Sequence, residues 1–296
     1  MTASSDEVKP DTAKLAAAEA ARELGIEAPL LLLRSGDNDV FQAGDVVLRV
    51  ASNEADVLSQ LALASWLADR GLPVLRPISD VVALHDKQVT VWEYVRGEQP
   101  IDYRQWGEAI SLLHQMSVEG VAELVALPWC GGADWLQLAE NLETAANAGV
   151  VSDEDIEVLG AATVDAADWQ HAARCGELVV CHGDVHPQNV LMRGDELIII
   201  DWDSICIGPT AWDHAALLTW ADRWGGAPGE YTAFADGYGG DMRESPLAQI
   251  LARVRLLAPT INMIIRGATS SRHAEEARLR MLYWQGVPSA PAWTGL

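Results

Sequence analysis

Residues 177 to 203 read ELVVCHGDVHPQNVLMRGDELIIIDWD, and the reading of this stretch decides the fold. Two apolar runs, Val190-Leu191-Met192 and residues 197 to 200, flank Arg193-Gly194-Asp195-Glu196. That is the pattern of a tight β-hairpin. A third apolar run, residues 178 to 181, leads into a polar loop over 182 to 189. A hairpin closes its two ends on each other, so Asn189 at its start and Asp201 at its finish are brought together, with Asp184 in the loop just before. Three oxygen-bearing side chains can therefore converge.

Working outward, the period of the pattern changes twice. Residues 11 to 24 are Ala-rich, with Asp11 placed as an N-cap, and predict a surface helix. Short apolar or β-branched runs at 30 to 35, 39 to 43 and 45 to 51, broken by GDN and AGD, predict antiparallel strands. Residues 53 to 70 return to helical spacing and stop at Gly71-Leu72-Pro73. Two further strands are expected over 78 to 84 and 88 to 95, turning at His85-Asp86-Lys87, before the connector RGEQP at 96 to 100. Beyond it, helical patterns dominate over 102 to 117, 132 to 147, 153 to 172, 209 to 225, 228 to 237, 246 to 267 and 271 to 284. The simplest architecture is α+β and two-lobed. A small antiparallel-sheet lobe with one helix takes residues 1 to 95, a larger, mainly helical lobe takes 96 to 296, and the hinge lies near 95 to 100.

With 296 residues, 49% of them hydrophobic and 21% charged, the chain has the composition of a globular protein with a sizeable core. No run of about 18 apolar residues occurs and the first residues lack a basic, then apolar, leader, so a cytoplasmic protein without a membrane partner is expected. Cys130, Cys175, Cys181 and Cys206 form no CxxC pair, which points to reduced thiols rather than a disulfide framework or zinc knuckle. A net charge of -23 repels phosphate backbones and attracts cations. Nucleic acid is thus not expected as a partner, and a cationic small molecule suits the field, although acidity also serves solubility.

Convergent carboxylate and amide oxygens are what hard Mg²⁺ requires. Phosphoryl transfer needs that metal, a base near the attacking hydroxyl and cations on the phosphates. Asp184 has the position of the base; Asn189 and Asp201 have the positions of metal ligands, with Asp203 as a further metal ligand or a cap of the next turn. His182 reads more readily as a support packed under the loop, and His186 as an exposed loop residue. The segment 201 to 244 holds eight acids against Arg223 and Arg243, with Trp212, Trp220 and Trp224 nearby. It reads as a cation-binding wall or as an acidic helix face over core tryptophans.

HGDVHPQN followed by IIIDWD resembles the catalytic and metal-binding signatures of the aminoglycoside phosphotransferase and choline kinase superfamily, small-molecule relatives of the protein kinases. The resemblance implies a protein-kinase-like fold and transfer of the γ-phosphate of ATP, or of GTP, with Mg²⁺ to a hydroxyl of a small molecule such as an aminoglycoside or amino sugar. It further implies that Arg49 in VVLRVA contacts phosphate, that Glu54 pairs with Arg49, and that the backbone of Glu93, Tyr94 and Val95 holds the adenine. Asp213 in Pro209-Thr210-Ala211-Trp212-Asp213 would brace the catalytic loop. The chain departs from protein kinases in two places. Its lysines are Lys9, Lys14 and Lys87 alone, so the third-strand cation is Arg49, and the phosphate-loop region RSGDNDVF at 34 to 41 carries a single glycine.

Three other readings compete. His182, Asp184 and His186 alternate as ligands of a metal-dependent hydrolase would. LIIIDWDS resembles the strand end of an aspartyl-phosphate phosphatase, although that chemistry wants a downstream lysine and none follows Lys87. A kinase-like module that binds nucleotide without turnover is the third.

Overall fold

The computed structural model describes residues 9–35, 38–52, 54–97 and 100–294, the side chains of 9–11 and 54–56 excepted. Two compact units emerge from the packing. One comprises Met1–Asp102, Glu119–Ala126 and Gln188–Asp203; the other comprises Tyr103–Val118, Leu127–Pro187 and Ser204–Leu296.

The first unit is built on a five-stranded antiparallel sheet in the order β1-β2-β3-β5-β4. Its strands are β1 Leu30–Arg34, β2 Asp39–Ala43, β3 Val46–Ala51, β4 Val82–Leu84 and β5 Lys87–Glu93. The β4–β5 turn works because His85 and Asp86 both adopt positive φ, 53° and 58°, the requirement of a two-residue type I′ hairpin. β4 is shorter than expected from the sequence. Ahead of it the chain meets the sheet at Pro77, bridged to Trp92, and through the Ile78 N–H on Val91 O at 2.8 Å. Pro77 has no N–H to give a ladder.

Helix α1, Lys9–Glu23, corrects the expectation of an N-cap at Asp11, while exposed Lys14, Leu15, Ala18, Arg22 and Glu23 keep it at the surface. It starts two residues earlier, and Ala13, Ala16, Ala17, Ala20 and Ala21 are buried against Phe41, Leu48, Val50, Val89 and Val91. The alanine methyl is too small to hold helix and sheet apart, and each buried CH₂-sized group contributes about 0.8 kcal/mol. Helix α2, Glu54–Asp69, buries Val57, Leu63 and Leu67. The expected hairpin is present as β7 Val190–Arg193 and β8 Glu196–Ile199, turning at Gly194-Asp195. It is tied to the same unit where the Ile199 N–H donates to Pro73 O at 2.8 Å.

The second unit is mainly helical. Its helices are α3 Tyr103–His114, α5 Leu138–Ala148, α6 Asp153–Asp165, α7 Trp169–Arg174, α8 Ala211–Leu218, α9 Trp220–Arg223, α10 Glu230–Tyr238, α11 Pro246–Gly267 and α12 Ser271–Trp284, while the short α4, Val118–Ala122, straddles the two units. Helices α11 and α12 have the bounds expected from sequence because each starts on a serine cap: Ser245 Oγ accepts from Ala248 N and Ser270 Oγ from His273 N. The expected helix over 153 to 172 is instead two, parted at 166–168. α3 and α10 meet backbone to backbone. A Cβ on Gly107 would lie 2.0 Å from Phe234 O, and one on Gly237 1.9 Å from Arg104 O.

Helix α11 is, among the described helices, the one long and apolar enough to cross a membrane, yet Leu251, Val254, Leu257, Ile261 and Ile264 along it are buried in the core of this unit. Strand β6, Leu178–Cys181, pairs antiparallel with β9, Cys206–Pro209, which the sequence reading did not anticipate. A four-residue run holding a glycine and a proline carries no alternation to read. The α+β architecture, with an antiparallel sheet first and a larger helical part after it, is borne out.

Candidate active site

In the helical unit, the loop after β6 is held from beneath. Asp213, buried on α8, accepts the backbone N–H of His182 at 2.8 Å and of Gly183 at 2.9 Å. His114 on α3 donates through Nε2 to the same carboxylate at 3.0 Å. Burial alone would raise the pKa of Asp213; the His114 hydrogen bond and the loop N–H groups outweigh it and hold the carboxyl below the usual range. Gly183 is required here, because its φ is +87° and a Cβ would lie 2.0 Å from Ser204 O. His182 lies under the loop, 1% exposed, with the Asp184 N–H directed at its Nδ1 at 3.3 Å.

Asp184 itself meets two further groups. His186 Nε2 lies 3.1 Å from Oδ2, and Arg255 Nη2 donates to Oδ1 at 2.8 Å. Burial pushes the pKa of Asp184 up, but the His186 hydrogen bond and the Arg255 guanidinium outweigh it, so the carboxyl stays ionised well below the usual carboxylate range. His186 stacks on Trp220, 6.5 Å between centroids, and Trp220 on Trp224 at 6.1 Å. Of the two readings of the 201 to 244 segment, Trp212 belongs to the core, whereas Trp220 and Trp224 are only part-buried.

Sequence reasoning missed Arg255. It lies on α11, 71 positions from Asp184 in the chain and in no motif. One signal was present: Pro259 lacks the N–H that would bond the carbonyl four residues back, that of Arg255, so the helix ladder is broken at this residue.

In the sheet-containing unit, Asn189 and Asp201 stand at the two ends of the hairpin, drawn together where the Ile200 N–H donates to Asn189 O at 3.0 Å. Asn189 is buried, and Asp201 adopts a left-handed φ of 63°, costly for a residue with a Cβ. Arg34 Nη1 lies 3.2 Å from Asp201 Oδ2, an exposed contact. Asp203, read as a further metal ligand, has its oxygens on Arg49 Nη2 and Gln60 Nε2, the latter at 2.6 Å. Arg49 thus meets Asp203; the side chain of Glu54, its expected partner, lies outside the described residues. Glu93 pairs with Arg193, the Tyr94 N–H donates to Asp45 O at 2.9 Å, and Val95 is buried. The Tyr94 N–H therefore already continues the β3–β5 ladder.

No curated protein sequence matches the chain. Among solved structures, a spectinomycin phosphotransferase in complex with ADP and spectinomycin is 16% identical, covering 92% of this chain and 94% of its own, with a TM-score of 0.67. An amicoumacin kinase in complex with AMP-PNP and Ca²⁺ is 15% identical over 96% and 98%, TM-score 0.66. A choline/ethanolamine kinase family protein from Mesorhizobium loti is 20% identical over 92% and 95%, TM-score 0.61. At these identities the likeness is one of fold. The family model described as "Phosphotransferase enzyme family" matches residues 31–257, most of the chain, and the protein belongs to that family.

Proposed function

We propose that this protein is a small-molecule kinase that moves the γ-phosphate of ATP to a hydroxyl group, with Asp184 as the base and Asn189 and Asp201 as the ligands of Mg²⁺. The observation that carries the reading is the hydrogen bond from Ile200 N to Asn189 O at 3.0 Å, which sets an amide and a carboxylate side chain at adjoining ends of one hairpin. Their oxygen donors suit a hard cation. Bound Mg²⁺ would offset the charge of the phosphates being parted.

The chain's own groups divide the remaining work. Asp184 orients the acceptor hydroxyl and takes its proton as the new oxygen–phosphorus bond forms and the bond from Pγ to the β–γ bridging oxygen breaks. The His186 and Arg255 contacts hold that carboxylate in its ionised form, ready to accept a hydrogen bond from the hydroxyl. Asp213 fixes the loop that presents it. Arg49, on β3, is the phosphate contact, exchanging Asp203 for the nucleotide. The nucleotides held by the solved relatives support ATP as the donor, and the net charge of -23 favours a cationic acceptor.

The test is nucleotide consumption by purified protein with Mg²⁺-ATP and Mg²⁺-GTP against aminoglycosides, amino sugars, macrolides and amino alcohols. Acceptor-dependent turnover that disappears in Asp184→Ala while nucleotide binding persists is the expected result. Normal turnover in that variant would sink the assignment.

A further inference from the structure

Arg255 is an unusual neighbour for a base that is to meet a cationic acceptor. Its guanidinium lies near two indoles, with Cζ 5.5 Å from the Trp135 ring centre and 5.4 Å from that of Trp212. Its side chain is 10% exposed. Cation–π contact with the two rings and the ion pair with Asp184 favour keeping the charge there. Among the described residues, Asp184 is its one hydrogen-bond acceptor. A guanidinium carries five N–H donors in a rigid plane, so a clamped fork beside Asp184 presents donors next to the place where a hydroxyl bound to that carboxylate must sit.

We propose that Arg255 determines acceptor specificity, accepting compounds in which the carbon next to the reacting hydroxyl bears an oxygen and rejecting those in which it bears an amine. The inference rests on the kinase reading, in which Asp184 receives the acceptor hydroxyl. A hydroxyl within about 2.6–3.2 Å of Asp184 has its vicinal substituent alongside the Arg255 fork. An oxygen there receives an N–H from a charged donor, one of the stronger kinds of hydrogen bond. An ammonium there offers only further N–H donors and sets a positive charge against a guanidinium held by Asp184. The amine groups of a cationic acceptor consequently lie away from the reacting carbon pair.

The test compares matched acceptors with Mg²⁺-ATP: myo-inositol against its aminodeoxy analogue, glucose against glucosamine, glycerol against ethanolamine, and a panel of aminoglycosides whose phosphorylated position is located by NMR. We expect phosphate on hydroxyls flanked by oxygen, and a preference over the amine-flanked partner of roughly 10- to 100-fold in kcat/KM, the range for a hydrogen bond to a charged group. Arg255→Gln should abolish the preference, and Arg255→Lys, which keeps the charge and N–H donors without the planar fork, should retain part of it. A structural role alone would lower the rate on every acceptor in equal proportion. Phosphate on an amine-flanked hydroxyl, or unchanged selectivity in Arg255→Gln, overturns this inference and leaves the kinase standing. Absence of acceptor-dependent transfer throughout overturns both.

Discussion

Asp213 Oδ1 accepts the backbone N–H of Gly183 at 2.9 Å, while its other oxygen takes that of His182 at 2.8 Å. One buried carboxylate thereby fixes the two peptide units immediately before Asp184, and its position on α8 transmits the rigidity of the helical core to the loop. Asp213→Ala would leave two N–H groups and His114 without their acceptor. The loss should be about 3 kcal/mol or more, because each buried donor left without its acceptor costs about 1–3 kcal/mol, read from urea denaturation. Asp213→Asn keeps one acceptor oxygen and should lose less. Equal stability of wild type and Asp213→Ala would show that the loop is held by other means.

Gly183 offers a test with an internal control. An alanine there combines a φ of +87° with a Cβ 2.0 Å from Ser204 O, whereas Gly194, at φ +61°, has open space around it. Gly183→Ala should cost about 2–4 kcal/mol and displace Asp184, while Gly194→Ala should cost about 1 kcal/mol, the left-handed penalty alone. Thermal unfolding of the pair separates collision from conformational strain. Similar losses in both would mean that the contact with Ser204 relaxes freely.

The legibility of the sequence divides along the range of the interactions. Hairpin β7–β8 could be read because Val190-Leu191-Met192, Gly194 and the run 197 to 200 are neighbours in the chain, and α11 and α12 because Ser245 and Ser270 mark their starts. The placement of Asn189 and Asp201 followed from the hairpin alone. Contacts between distant segments left no local mark. The pairing of β9 with β6 joins residues 206–209 to 178–181, and Arg255 reaches Asp184 from α11. Which face of α1 is buried was not read because an alanine-rich face gives little amphipathic contrast, although it is what permits close packing on the sheet.

The cysteines should separate by reactivity. Cys175 is exposed, whereas Cys130, Cys181 and Cys206 are buried. Burial pushes the Cys130 and Cys181 thiols well above their ordinary range, with the neighbouring Cys206 adding to the effect, which removes the reactive thiolate. Native protein treated with iodoacetamide should gain one adduct by mass, and denatured protein four. A second rapid adduct on the native protein would reveal opening of the β6–β9 region.

His214 gives the pH dependence a specific window. It is fully buried against Phe234 and Tyr238, with Nδ1 3.0 Å from the Tyr231 hydroxyl and Nε2 without a partner among the described residues. Burial, assisted by nearby His114 and opposed by Asp213 and Asp241, pushes its pKa down to about 4 from 6.5. The unfolded chain therefore binds a proton below pH 6.5 that the folded chain refuses until about pH 4, so stability falls as pH drops through that interval and levels off beneath it. The full loss is about 3 kcal/mol, at 1.36 kcal/mol per pKa unit. His214→Phe fills the same aromatic niche without titrating. Urea denaturation from pH 7.5 to 4 should show the variant losing less stability than the wild type, with the difference confined to pH 6.5 to 4. Parallel profiles would mean that His214 takes up its proton in the folded state and that the aromatic niche around it admits charge.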